Sequence, residues 1–178
     1  MPTIQIPTYD HIDQILVLNS KYLITHLNDT QKKSGFVRIE YTEEEIKKII
    51  EHQEIVVAID NNKVVGYYLV GRKSDSVALD YQKNKAINLF GSHTIQFDKI
   101  GYGCQVCIDY THRNNGLSKN MLLKLVEILD NKYEYLLSII SKENTISLQN
   151  STAIGWTALD SSENPKYYYI KLWNSIAY

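Results

Sequence analysis

Residues 112–119 read His-Arg-Asn-Asn-Gly-Leu-Ser-Lys, which places Arg113, Gly116, Ser118 and Lys119 within one short run. Two cations, a hydroxyl and a residue without a Cβ are the ingredients of a phosphate site, provided that the run opens onto a helix. The first turn of a helix carries N–H groups without intrahelical partners, and its dipole adds partial positive charge. A backbone that can come close then wraps oxygen anions. The flanking pattern supplies what is needed. Val106, Cys107 and Ile108 read as a strand before the turn, and Met121, Leu122, Leu125, Val126 and Leu129 recur at helical spacing after it. The expected unit is a strand, a polar turn from Asp109 and a helix. Its cradle is formed around Gly116 and Ser118, with Arg113 and Lys119 beside them.

Other chemistry finds less support. Cys104 and Cys107 form a C-x-x-C, but no second pair of ligands completes a zinc site. A redox pair belongs at a helix N-terminus, whereas these lie along a strand, three positions apart and so facing opposite ways. Two buried thiols are expected. His11, His26, His52 and His93 are scattered without metal-ligand spacing, and no metal is expected. Asp109 suits a turn former at the strand exit.

The elements that position the cradle follow from periodicity. A short strand is expected over Thr3 to Ile6, stopped by Pro7, then a helix striped by Ile12, Ile15, Leu16, Leu18, Leu23 and Leu27. Gly35 to Tyr41 fits a short strand or an ordered loop. Thr42-x-x-Glu45 is a capping box for a helix whose inner face is Ile46, Ile49 and Ile50. The runs 55–59 and 64–70 are strands, and the Asn61-Asn62 link between them suits a tight hairpin. A helix is expected within 75–92. Further strands are expected from Ile100, over Tyr135 to Ile140, around Trp156 to Leu159 and over Lys166 to Trp173, with a helix headed by Asn144. The aromatic run Tyr167 to Trp173 fits a core strand or the edge of a homodimer. The fold class is α+β (mixed α/β), with helices flanking a mostly antiparallel sheet.

Spacing excludes two phosphate loops, since neither G-x-G-x-x-G nor G-x-x-x-x-G-K-[ST] occurs here. Arg113-x-x-Gly116-x-Ser118 after a strand resembles the pyrophosphate loop [RQ]-x-x-G-x-[GA] of the GNAT superfamily of acyl-CoA-dependent N-acetyltransferases, with Ser118 as a departure at the last position. A second segment adds to the likeness: Asn144, the small residue Ser147 three positions on, and Gly155-Trp156 at eleven and twelve. The resemblance implies a three-layer fold with a central twisted sheet, in which the strands at Val106 and Tyr135 are parallel neighbours that splay apart. It implies acetyl-CoA as co-substrate, its arm lying along Val106, Cys107 and Ile108, its pyrophosphate on the amides of Asn114, Asn115, Gly116, Leu117 and Ser118, and Asn144 bonded to the arm. An acceptor amine would attack the thioester directly, in a ternary complex, with a strand N–H near Cys107 facing the oxyanion. The Tyr that many members carry seven positions after this Asn is Ser151 here. Candidate catalytic residues are therefore Glu40, Tyr102 and Ser151, with Gln105 also on the cofactor strand. The alternative is a non-catalytic acyl-CoA sensor or scaffold.

Composition bounds the rest. With 178 residues, 44% of them hydrophobic, the chain fits one domain, 1–178. A formal net charge of −1 gives no electrostatic case for nucleic acid or an anionic membrane. No apolar run approaches the ~20 residues that span a bilayer, and the first residues lack a basic segment followed by an apolar one. A cytoplasmic enzyme acting on a small-molecule or peptide amine is the expectation.

Overall fold

The computed structural model describes residues 2–71, 99–129, 132–159 and 167–173. In chain order its elements are β1 (Thr3–Gln5), α1 (Ile12–Lys21), α2 (Asp29–Lys32), α3 (Glu43–Glu51), β2 (Ile55–Asp60), β3 (Lys63–Leu69), β4 (Ile100–Tyr102) and β5 (Gln105–Ile108). They continue with α4 (Leu117–Leu129), β6 (Tyr135–Ser141), α5 (Thr145–Ala153), β7 (Thr157–Leu159) and β8 (Tyr167–Trp173). The strands form two four-stranded sheets, ordered β1-β2-β3-β5 and β4-β6-β8-β7. Every pairing is antiparallel except β4 with β6. The helix expected within 75–92 lies outside the described residues.

Alternation along β2, β3 and β5 sends side chains to two cores. Val56, Ala58, Tyr68 and Ile108 pack under Leu117, Met121, Leu122, Leu125 and Leu129 of α4. Ile55, Val57, Tyr67, Leu69 and Cys107 pack under Ile12, Ile15 and Leu18 of α1 and Ile46, Ile49 and Ile50 of α3. The sheet is thus the middle of three layers. Both cysteines are free and buried, one in each core, as their spacing requires.

Local chemistry sets the boundaries. Thr42 and Glu45 make the reciprocal capping box that starts α3. Asn61 and Asn62 take φ of 49° and 61°, the two left-handed residues of a type I′ hairpin turn. The first helix is shorter than its stripe implied. It stops at Lys21, because the chain turns extended at Leu23 and forms a parallel bridge to Val37. Tertiary pairing of Tyr22 and Ile24 with Val37 outweighs the helical pattern. Residues 35–41 are accordingly an ordered loop with that one bridge.

The corner between α4 and β6 is fastened from beneath. The fully buried Glu54 carboxylate accepts a hydrogen bond from the Tyr133 hydroxyl and lies 2.8 Å from Lys132 Nζ. Removing the carboxylate takes an acceptor from the Tyr133 hydroxyl and the counter-charge from Lys132, so Glu54→Ala is expected to cost about 1–3 kcal/mol, read as a lower urea midpoint at unchanged m.

Candidate functional site

The central feature is a break in one strand. β4 pairs in parallel with β6, Ile100 opposite Tyr135 and Tyr102 opposite Leu137. Gly103 follows with φ of 67°, and the chain then crosses to the other sheet, where β5 pairs with β3, Tyr67 opposite Cys107. The last links to β6 are the Cys104 N–H to Leu137 O at 3.5 Å and the Ser138 hydroxyl to Cys104 O at 2.5 Å. Beyond Cys104 the two strands diverge. This is the splayed pair expected for the strands at Val106 and Tyr135, with the parallel ladder itself confined to β4.

Which main-chain groups face the gap follows from the ladder. Asp109 N–H bonds to Val65 O, and antiparallel pairs alternate, so Cys107 and Gln105 spend their groups on β3. Val106 and Ile108 point theirs into the gap, although Ile108 O accepts from Arg113 Nε at 2.8 Å. The N–H groups that face the gap beside Cys107 are therefore those of Val106 and Ile108, and not that of Cys107 itself.

At the far end of β5 the chain passes Asp109 and enters the cradle. Asn114 and Gly116 adopt positive φ, 66° and 72°. A Cβ built on Gly116 would meet nothing within 4 Å; it would project into open space over the loop. Gly116 O accepts the first bond of α4, from Asn120, leaving the N–H groups of the first turn turned outward. A cleft of about 190 Å³ runs from this loop along β5. Its walls include Val106, Cys107, Ile108, Arg113, Asn114, Gly116, Leu117, Ser118, Lys119 and Asn144. Of the residues expected to hold the cofactor, only Asn115 does not line it. Other walls, Tyr22, Phe36, Val37, Asn150 and Ile154 among them, carry no sequence signal, because irregular chain and a second helix bring them there.

Several cleft residues are tied into the scaffold. Arg113 donates to Ile108 O and to Ser34 O, and its guanidinium stacks 4.8 Å from the Tyr22 ring centroid. Asn144 caps α5 by accepting from Ser147 N–H at 3.3 Å and donates to Phe36 O at 2.8 Å. The Ser118 hydroxyl accepts from Asn150. His112 sits 3.1 Å from Asp60.

Asp109 anchors the turn through Lys21 at 2.5 Å and the Thr111 N–H and hydroxyl. Burial alone would raise its pKa, but these bonds outweigh it and hold the carboxyl at about 2. An unfolded Asp titrates near ~3.9. The contribution is therefore complete above about pH 4 and is lost as pH falls towards 2. The urea midpoint is expected to drop across that window, and less steeply in Asp109→Asn.

The catalytic candidates fare differently. Glu40 is exposed and outside the cleft. Ser151 is buried at 4% exposure within α5 and does not line the cleft either; its carbonyl accepts from Trp156 and Ile154 at the helix end. Tyr102 is buried beside Ile100, Tyr135 and Leu137, and burial raises its hydroxyl to about 12, so it stays protonated at neutral pH. Burial likewise raises the Cys107 thiol to about 12 and Cys104 further, so neither supplies a thiolate. Gln105 donates to the Tyr67 hydroxyl at 2.8 Å. Among the described residues no cluster of His, Cys, Asp or Glu could hold a metal ion, and no helix is long and apolar enough to cross a membrane.

By sequence, no family model and no curated protein matches the chain. Solved structures do. An N-acetyltransferase from Staphylococcus aureus Mu50 superposes with a TM-score of 0.65 at 14% identity, covering 98% of this chain and 99% of that one. A GNAT-family acetyltransferase from Streptococcus pneumoniae gives 0.64 at 13%, covering 97% and 99%. The PaiA N-acetyltransferase from Thermoplasma acidophilum, in complex with coenzyme A, gives 0.65 at 8%, covering 97% and 99%. With the split strand, the glycine loop and the flanking helices in place, the chain has the fold of the GNAT acetyltransferases.

Proposed function

We propose that this protein transfers an acetyl group from acetyl-CoA to a primary amine by direct attack. The observation that carries the reading is the continuity of one cleft from the glycine loop to the gap beside β5. The open space over Gly116 suits a pyrophosphate, and the adjoining amides of α4 with Lys119 suit its charge. The gap beside Val106 suits an amide-bearing arm, which pairs with a free strand edge as another strand would. Acetyl-CoA supplies the activated thioester. The chain's part is to hold it so that reaction becomes effectively unimolecular, worth up to ~7–11 kcal/mol. The Val106 N–H faces the developing oxyanion. Both thiols stay protonated, which agrees with attack without a cysteine acyl-enzyme.

A second reading, an acyl-CoA sensor without turnover, draws on the placement of Ser151 and Glu40 away from the cleft. Release of free thiol from acetyl-CoA, followed with a panel of small and peptide amines, separates the two. Amine-dependent release establishes the transferase; tight binding without release with any amine establishes the sensor.

A further inference from the structure

Residues 34–37 line the cleft, and both ends of this crossing segment are held by other cleft residues. Arg113 reaches from the phosphate loop to Ser34 O, and Asn144 reaches from the head of α5 to Phe36 O. Between them Gly35 passes at φ of 92°, its Cβ position 3.6 Å from Asn144 Oδ1 and 3.8 Å from Arg113 Nη1. Val37 then locks to the end of α1, its N–H to Tyr22 O and its O to Ile24 N–H, each at 2.9 Å. Phe36 and Val37 are buried, at 8% and 5% exposure. The crossing is therefore a fastened strap.

We propose that Ser34–Val37 is a roof under which the acyl-CoA arm is threaded, and that Arg113 and Asn144 are positioning residues that act on the cofactor through this strap. The inference rests on the acetyl-CoA reading above. Arg113 is built for such a task, since it holds β5 through Ile108, the strap through Ser34 and α1 through the Tyr22 ring at once. Asn144 divides its amide: the oxygen caps α5 and the nitrogen holds the strap.

That division permits a clean test. Asn144→Asp keeps an excellent N-cap, and a carboxylate at a helix N-terminus is favourable, so α5 stays formed. It lacks the donor to Phe36 O and turns a negative oxygen towards that carbonyl. Arg113→Lys keeps the charge but cannot grip Ser34 and Ile108 together. Hydrogen–deuterium exchange of a peptide spanning 34–37, read beside calorimetric titration with acetyl-CoA, follows the strap and the site separately. Each variant is expected to speed strap exchange by about five-fold or more, the equivalent of one lost hydrogen bond, and to weaken acetyl-CoA binding. In the wild type, acetyl-CoA is expected to slow strap exchange, as a roof with the arm beneath it must. Unchanged strap exchange in both variants, or faster exchange on adding acetyl-CoA, would overturn the proposal. A flat wild-type titration would instead overturn the cofactor reading, and the roof with it.

Discussion

Gly116→Val is expected to weaken acetyl-CoA binding by at least about 100-fold, equivalent to ~2.7 kcal/mol, while the protein remains folded. Two effects act in the same direction. At φ of 72° a β-branched residue is strained, by roughly 1–2 kcal/mol, so the loop is pulled out of the shape that turns its amides outward. The isopropyl group would also stand in the open space over the loop, where no protein atom lies within 4 Å. It would thus displace the phosphate without clashing with the fold. Urea unfolding should show a loss of no more than about 2 kcal/mol, which separates a blocked cradle from a collapsed one. Gly116→Ala should fall between wild type and Val.

Val106→Pro is expected to lower the rate of thiol release by about 10²–10³-fold, the effect of losing one oxyanion donor. The register makes this substitution selective. Val106 directs its N–H into the gap and contributes no ladder bond to β3, so a proline there removes the donor and leaves the β3–β5 pairing in place. Cys107→Pro is the control: the register directs its N–H to β3 opposite Tyr67, so proline there removes a ladder bond and should lower the urea midpoint, as Val106→Pro does not. Initial rates and urea midpoints for the two variants give the comparison. Equal rates for wild type and Val106→Pro would remove this N–H from the mechanism.

The cradle was legible because it is local. A strand, a turn with Gly116 and Asn114, and the 121–129 stripe of α4 are set by neighbours in sequence, and the structure assembles them as the spacing implies. The hairpin at Asn61-Asn62 and the capping box at Thr42 were legible for the same reason. What tertiary contacts decide was not. The end of α1 depends on a bridge to Val37, and the helical stripe through Leu23 and Leu27 carries no sign of it. The split at Gly103 divides one run of residues between two sheets, and only register shows that Val106 rather than Cys107 faces the gap. Residues 34–37 have no periodicity at all, yet Asn144 and Arg113 hold them in the wall of the cleft. Ser151 matched a family position by spacing, but α5 rotates it away from the cleft into the interior.

The transferase reading, the roof and the Val106 donor all require that the cleft bind an acyl-CoA. Calorimetric titration of the wild-type protein with acetyl-CoA, beside ATP and NAD, is the most direct test. Micromolar binding of acetyl-CoA alone, lost in Gly116→Val, is the predicted result. No heat with acetyl-CoA, or equal binding by wild type and Gly116→Val, would make the Arg113–Ser118 loop a structural turn and contradict the account.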